Sequence, residues 1–232
     1  MRGFTQVQAD VAAMADYWGS RKIGWRTRAA DEFGRLVAPA TYYLEDPSFN
    51  DIQMTNMAFT EWVLFERELC RGRTPLQLYI DNPPKGVGED AVDRLVQVER
   101  TQFFSRFSIL AKHPDRGVAT LRDERSGQVY ETLDSFLCSM PTWRDGTISE
   151  RLGLVDGVWQ TVGQVKLYDR APPGEVTPPG PGEVDGEDKR LRPEFAKMGF
   201  YLRLLCDTMG VDGRYASGMR VRECEAPADD AA

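Results

Sequence analysis

The chain has 232 residues, enough for one large domain that buries most of its unfolded surface without covalent staples. Its 41% hydrophobic and 28% charged content is that of a globular protein, and no run reaches the roughly 18 apolar residues of a membrane span, so no membrane partner is expected. A formal net charge of −7 opposes general attraction to phosphate backbones and disfavours nucleic acid as a partner.

Val7, Val11, Met14 and Trp18 recur at helical spacing and predict an amphipathic first helix that Gly19 and Ser20 end. Arg21, Lys22, Arg26 and Arg28 then surround Trp25, before a second short helix carrying Phe33, Leu36 and Val37. Pro47 biases Asp46 away from helix. A third helix is predicted from Ala58, Trp62, Phe65 and Leu69, broadened by Met54 and Phe59, with Gly72 as its stop. Thr74-Pro75-Leu76-Gln77 combines a capping residue, a proline at the first helical position and a glutamine at the third, and so starts a new helix. Asn82-Pro-Pro-Lys-Gly breaks it. Glu89 and Asp90 open another helix at the end where the dipole favours anions, with Val92, Leu95 and Val96 on its buried face.

From Phe103 the period changes. Phe103, Phe107 and Ile109 hold no helical stripe, and turn signals then recur at Asp115-Arg-Gly117, Ser126-Gly127 and Asp156-Gly157. They separate short runs at 117–122, 128–133, 147–155 and 158–167, which predict a small antiparallel β-barrel-like unit. Residues 171–189 are rich in Pro, Gly and acid and read as a flexible linker. Beyond it, Phe195, Met198, Leu202, Leu205 and Met209 form one more helical stripe, whose apolar face requires packing back on the body.

The segment 58–165 resembles an uncharacterised bacterial domain family. The resemblance is carried by Phe59-x-Glu61-Trp62-x-x-Phe65, by Gly72-x-Thr74-Pro75-Leu76-x-x-Tyr79, by a helix ending near Arg100-Thr-Gln-Phe-Phe-Ser, and by a β region with a Gly-Gln-Val-Tyr130 hairpin. Members of this type sometimes carry a cysteine-rich zinc tail of the kind linked to protein-export components. That tail is missing here: Cys206 and Cys224 have the wrong number and spacing. The resemblance implies a fold and no activity, since the matching positions are mostly apolar or turn residues.

Few residues suggest chemistry. His113 is the single histidine, at a strand end beside a turn, which excludes a multi-histidine metal site. Cys70, Cys138, Cys206 and Cys224 form no CxxC, and Asp10 and Asp16 interrupt the first apolar run, so no secretion signal is read and a cytoplasmic location is expected. No phosphate loop, dinucleotide fingerprint or Gly-x-Ser-x-Gly elbow occurs. Glu45, Asp46, Asp51, Glu61, Glu66 and Glu68 lie on or before the third helix, where two or three of them are the material for a divalent-metal site, although Glu66 and Glu68 cannot share a helix face. Glu61, inside the aromatic block, needs a partner if buried, and Arg100 is the candidate.

The sequence therefore predicts an α+β protein: a helical extension over 1–50, a helical and β-barrel-like domain over 51–170, a linker over 171–189, a C-terminal helix and extension over 190–224, and a disordered tail over 225–232. The first functional expectation is a non-enzymatic binding module with a protein partner, an accessory of a larger bacterial assembly in its finer form, with no metal or cofactor. The second is a metal-dependent hydrolase or nuclease using the carboxylates. The third is a nucleic-acid-associated protein using Arg21, Lys22, Trp25, Arg26 and Arg28, whose cations and indole suit a phosphate and a stacked base.

Overall fold

A computed structural model describes residues 5–21, 24–170 and 198–211. The expected linker and tail, Lys22, Phe195 and Cys224 lie outside these residues. The chain is α+β, with a helical first half, a mixed sheet and a returning C-terminal helix.

Local signals set the helix starts. The first helix, α1 (Gln6–Ser20), begins with a reciprocal capping box between Thr5 and Gln8. Its partner α2 (Trp25–Val37) ends where Ala38 takes φ 46° and donates to Gly34 O. A 3₁₀ turn (Ala40–Tyr42) leads to α3 (Phe49–Phe65), capped by the Ser48 hydroxyl. The predicted box at Thr74 and Gln77 opens α4 (Pro75–Asp81), and α5 (Glu89–Thr101) follows with both acids in its first turn. Helix α3 stops at Phe65 rather than running through Leu69 to Gly72. The N–H groups of Glu66 and Arg67 both converge on Trp62 O, which closes the helix early. Gly72, at φ 72°, instead belongs to the Cys70–Arg73 turn that feeds α4.

One core joins these helices. Val7, Met14, Phe33, Trp62, Leu76, Leu95 and Leu205 all belong to it, so α1 and α2 share a core with α3, α4 and α5. The Arg94 to Asp10 ion pair, at 2.6 Å, fastens α5 to α1. The C-terminal helix, α7 (Phe200–Met209), packs back as its stripe requires, with Tyr201, Leu202, Leu204, Leu205 and Met209 buried against α2, α3 and the first strand. The Tyr201 hydroxyl donates to Ala58 O at 3.0 Å.

The second half is a sheet of β1 (Phe103–His113), β2 (Val118–Asp123), β3 (Val129–Leu133), β4 (Thr147–Val155), β5 (Val158–Thr161) and β6 (Leu167–Asp169), with α6 (Ser135–Ser139) between β3 and β4. The pairings return to their start: β1 bonds β2 on one side and β4 on the other, so β1-β2-β3-β5-β4 form a ring, with β6 added to β4. The expectation of an all-antiparallel unit is corrected by β3 and β5, which pair in parallel. The chain crosses by α6 and β4 before β5 returns alongside β3, a connection a hairpin cannot make. Asp156 and Gly157, at φ 52° and 76°, form the two-residue turn predicted between β4 and β5. Inside the ring, Phe107, Ile109, Ala119, Leu121, Tyr130, Ile148 and Leu152 make a second core.

Candidate functional site

The cationic cluster around Trp25 is not a stacking platform. Trp25 shares the buried stripe of α2 with Ala29, Phe33 and Val37, is 6% exposed, and meets Trp18 edge-on with ring centroids 6.5 Å apart. Arg26 and Arg28 are exposed to solvent, and Arg21 covers the Tyr17 ring at 4.2 Å. The indole that was to hold a base is a core residue, buried beneath cations that stay in solvent.

Glu61 is buried, at 2% exposure, and its partner is Arg151 of β4 rather than Arg100. Arg100 points outward from the last turn of α5, because the buried face of that helix is set by Leu95 and Val98. Arg151 Nε donates to Glu61 Oε1 at 3.0 Å, Nη2 to Glu66 Oε1 at 2.7 Å, and Nη1 to Gln102 Oε1. Glu61 Oε2 accepts the N–H groups of Gln164 and Val165, each at 2.9 Å, so both carboxylate oxygens are satisfied. The guanidinium is also caged by the rings of Phe65 at 4.7 Å, Tyr201 at 5.2 Å and Phe104 at 5.6 Å. Burial works against the charge on Arg151, but Glu61 and Glu66 outweigh it and hold the pKa above its ordinary value. Burial, reinforced by the charge of Glu61, raises the Tyr201 phenol well above its usual range.

Gly163 lets this cluster close. A Cβ there would lie 2.6 and 2.8 Å from the Glu61 oxygens and 2.9 Å from Arg151 Cβ. Gly163→Ala is therefore expected to destabilise the fold by about 1–3 kcal/mol in urea unfolding. An unchanged midpoint would show that the Glu61 contacts are slack.

A second buried cluster lies within the ring. Lys166 Nζ bonds Asp134 Oδ2 at 2.6 Å, Thr161 Oγ1 at 3.2 Å and Glu150 Oε2. The side chains of Asp134 and Glu150 are wholly buried. Asp134 Oδ1 also accepts from Leu137 N–H, the cap of α6. Glu150 Oε1 has no hydrogen-bond partner among the described residues. Two carboxylates thus share one ammonium. Burial and the neighbouring Asp134 push the Glu150 carboxyl up to about 8 despite Lys166. Burial also opposes the charge on Asp134, but Lys166 and the backbone N–H outweigh it and keep its pKa below the usual value. Proton linkage follows from Glu150. The folded chain keeps its proton above the ordinary 4.5, so the stability from this group is full below 4.5 and declines as the pH rises towards about 8. Glu150→Gln should remove that decline, read as a flatter denaturation midpoint between about pH 5 and 8. Equal slopes in the two proteins would mean that Glu150 is ionised throughout.

The remaining carboxylates do not gather. Among the described residues no three His, Cys, Asp or Glu side chains come together, and Glu61 and Glu66 converge on Arg151 instead. His113 ends β1, its carbonyl accepting the N–H groups of Arg116 and Gly117. Cys70 is exposed, Cys138 buried and Cys206 half-buried, each on a different element of the fold. An open groove of about 550 Å³ is lined by Pro141, Thr142, Arg144, Asp145 and Arg170, and none of the buried ionisable groups reaches it. On the outer face of β2 and β3 lie Thr120, Arg122, Val129 and Glu131, where Thr120 Oγ1 donates to Glu131 Oε1 at 2.6 Å. The aromatic residue of that hairpin, Tyr130, points into the ring and is 7% exposed.

Arg151, Glu150 and Lys166 escaped the sequence reading. Their signal was adjacent charges inside an otherwise apolar strand run, Ile148-Ser-Glu-Arg-Leu152, which a strand can bury only by placing one partner on each face. No helix among the described residues is long and apolar enough to cross a membrane. No family model matches the chain, and no curated protein or solved structure matches it.

Proposed function

We propose that this chain is a non-enzymatic binding module with a protein partner, in keeping with an accessory role in a larger bacterial assembly. One observation carries it. Glu61 with Arg151 ties the ring to α3, Asp134 and Glu150 with Lys166 tie the ring to itself, and both clusters bond inside the protein, away from the groove, instead of facing a substrate. A hydrolase needs such groups at an open surface, where a reacting atom can approach.

Nucleic acid is the second reading, favoured by the connectivity of the ring. Five-stranded Greek-key barrels of the oligonucleotide- and oligosaccharide-binding type use the face of their second and third strands. The corresponding face here mixes Arg122 with Glu131 and presents no aromatic ring, so it offers neither a basic track nor a base platform. Protein is the better fit.

The test has two arms. Excess manganese or magnesium is expected to leave Tm unchanged, and a labelled oligothymidylate is expected to show no saturable anisotropy change at low salt. Saturable stabilisation by manganese that is lost on changing an Asp or Glu would replace the module with the metal-dependent hydrolase. Tight oligonucleotide binding would replace it with the nucleic-acid reading.

A further inference from the structure

Eight large apolar side chains are exposed among the described residues, and four of them fall within residues 42–52: Tyr42, Tyr43, Phe49 and Ile52, at 52%, 63%, 76% and 41% exposure. An apolar concentration of this kind marks an interaction surface more often than scattered single residues do. It is held in place. The Tyr42 and Tyr43 N–H groups donate to Pro39 O and Ala40 O, the hydroxyls of Thr41 and Thr55 bond at 3.0 Å, and Ser48 caps α3 through Asp51 N–H. The Tyr42 ring rests against Gly34, where an added Cβ would meet Cε2 at 3.2 Å. Little ordering remains for binding to impose.

Within the stretch itself the charge has one sign. Glu45, Asp46 and Asp51 lie among the aromatics, and the chain has no Lys, Arg or His from residue 36 to residue 66. Arg35, exposed near the end of α2, is the nearest cation before the stretch. Such a rim repels phosphate backbones and anionic lipid surfaces, and it equally repels the same face of a second copy. It attracts cations carried on an apolar segment.

We propose that the face formed by residues 42–52 docks a basic amphipathic segment of a partner protein, which deepens the module reading above and rests on it. The partner's apolar anchors seat on Tyr43, Phe49 and Ile52, and its Lys or Arg side chains meet Glu45, Asp46 and Asp51. Aromatic anchors supply the affinity and the acidic rim supplies steering and selection.

The test uses the full chain and a fluorescein-labelled amphipathic peptide of leucine and lysine, with a leucine–glutamate peptide of the same pattern as its control. The expected result is saturable anisotropy with the lysine peptide, weakening as salt rises, and no binding of the glutamate peptide. Tyr43→Ser with Phe49→Ser should raise Kd at least about tenfold, whereas Val129→Ser on β3 should leave it unchanged. All these side chains are exposed, so the melting curves should coincide. Equal binding by the Tyr43/Phe49 variant, or by the glutamate peptide, would overturn the proposal. So would self-association in sedimentation that the same variant abolishes, since the occupant would then be a second copy. Failure of these arms, with a protein partner crosslinked elsewhere on the chain, would end this proposal and leave the module reading standing. Metal-dependent hydrolysis would end both.

Discussion

Arg151→Ala will destabilise the protein by roughly 3–5 kcal/mol, because it leaves the buried Glu61 carboxyl group without its partner. The loss extends beyond one ion pair. Arg151 joins Glu61 and Glu66 to Gln102, and its guanidinium sits within three aromatic rings contributed by α3, β1 and α7. Chemical unfolding of the single variant, of Glu61→Gln and of the double variant gives the coupling between the two residues. The expected double variant is less destabilised than the sum of its parts, because removing the carboxylate charge relieves the orphaned site. Strict additivity would mean that the pair is energetically independent, and the role assigned to Arg151 would fall.

The second large effect is at Trp62. It is 3% exposed and sits at the centre of the helical core, with Phe33 and Phe59 at ring-centroid distances of 5.5 and 6.3 Å. Trp62→Ala removes a whole indole from a site whose neighbours belong to two helices and cannot collapse far. The expected cost is about 3–5 kcal/mol, a large share of the stability of an ordinary domain. Thermal melting checks it. A variant that melts with the wild type would show that α3 is not the organiser of this core.

Much of the architecture was legible because helical stripes and turn residues are local signals. Val7, Val11, Met14 and Trp18 are all buried, Thr74 and Gln77 form their capping box, and Asp156-Gly157 makes its turn. Burial of Trp25 follows from the same periodicity, read through Ala29 and Phe33, whereas the surrounding cations drew attention to its chemistry instead. Partner choice was the illegible part. Glu61 meets Arg151 across 90 positions, a contact fixed by how the strand ring is set against the helices rather than by any nearby spacing. The parallel pairing of β3 with β5 was hidden for the same reason, because alternation within a strand reports its faces and not its neighbour. The five-residue α6 is too short to show a period, and it forms because Asp134 caps it from within the ring.

The C-terminal helix sets an order of events as well as a packing arrangement. Tyr201 reaches Ala58 across 143 residues, and α7 closes a core whose other walls, α2, α3 and β1, are all synthesised before it. On the ribosome, the aliphatic and aromatic side chains that α7 covers stay open until the ring of strands is already made. The apolar faces of α2, α3 and β1 that meet there are thus completed by the last helix of the described chain. The cation of Arg151 takes two of its three rings, Phe65 and Phe104, from earlier elements and the third, Tyr201, from α7. A contact of this span is of the kind whose loop closure is costly, so the seat of α7 rests on a highly non-local pairing of the helical core.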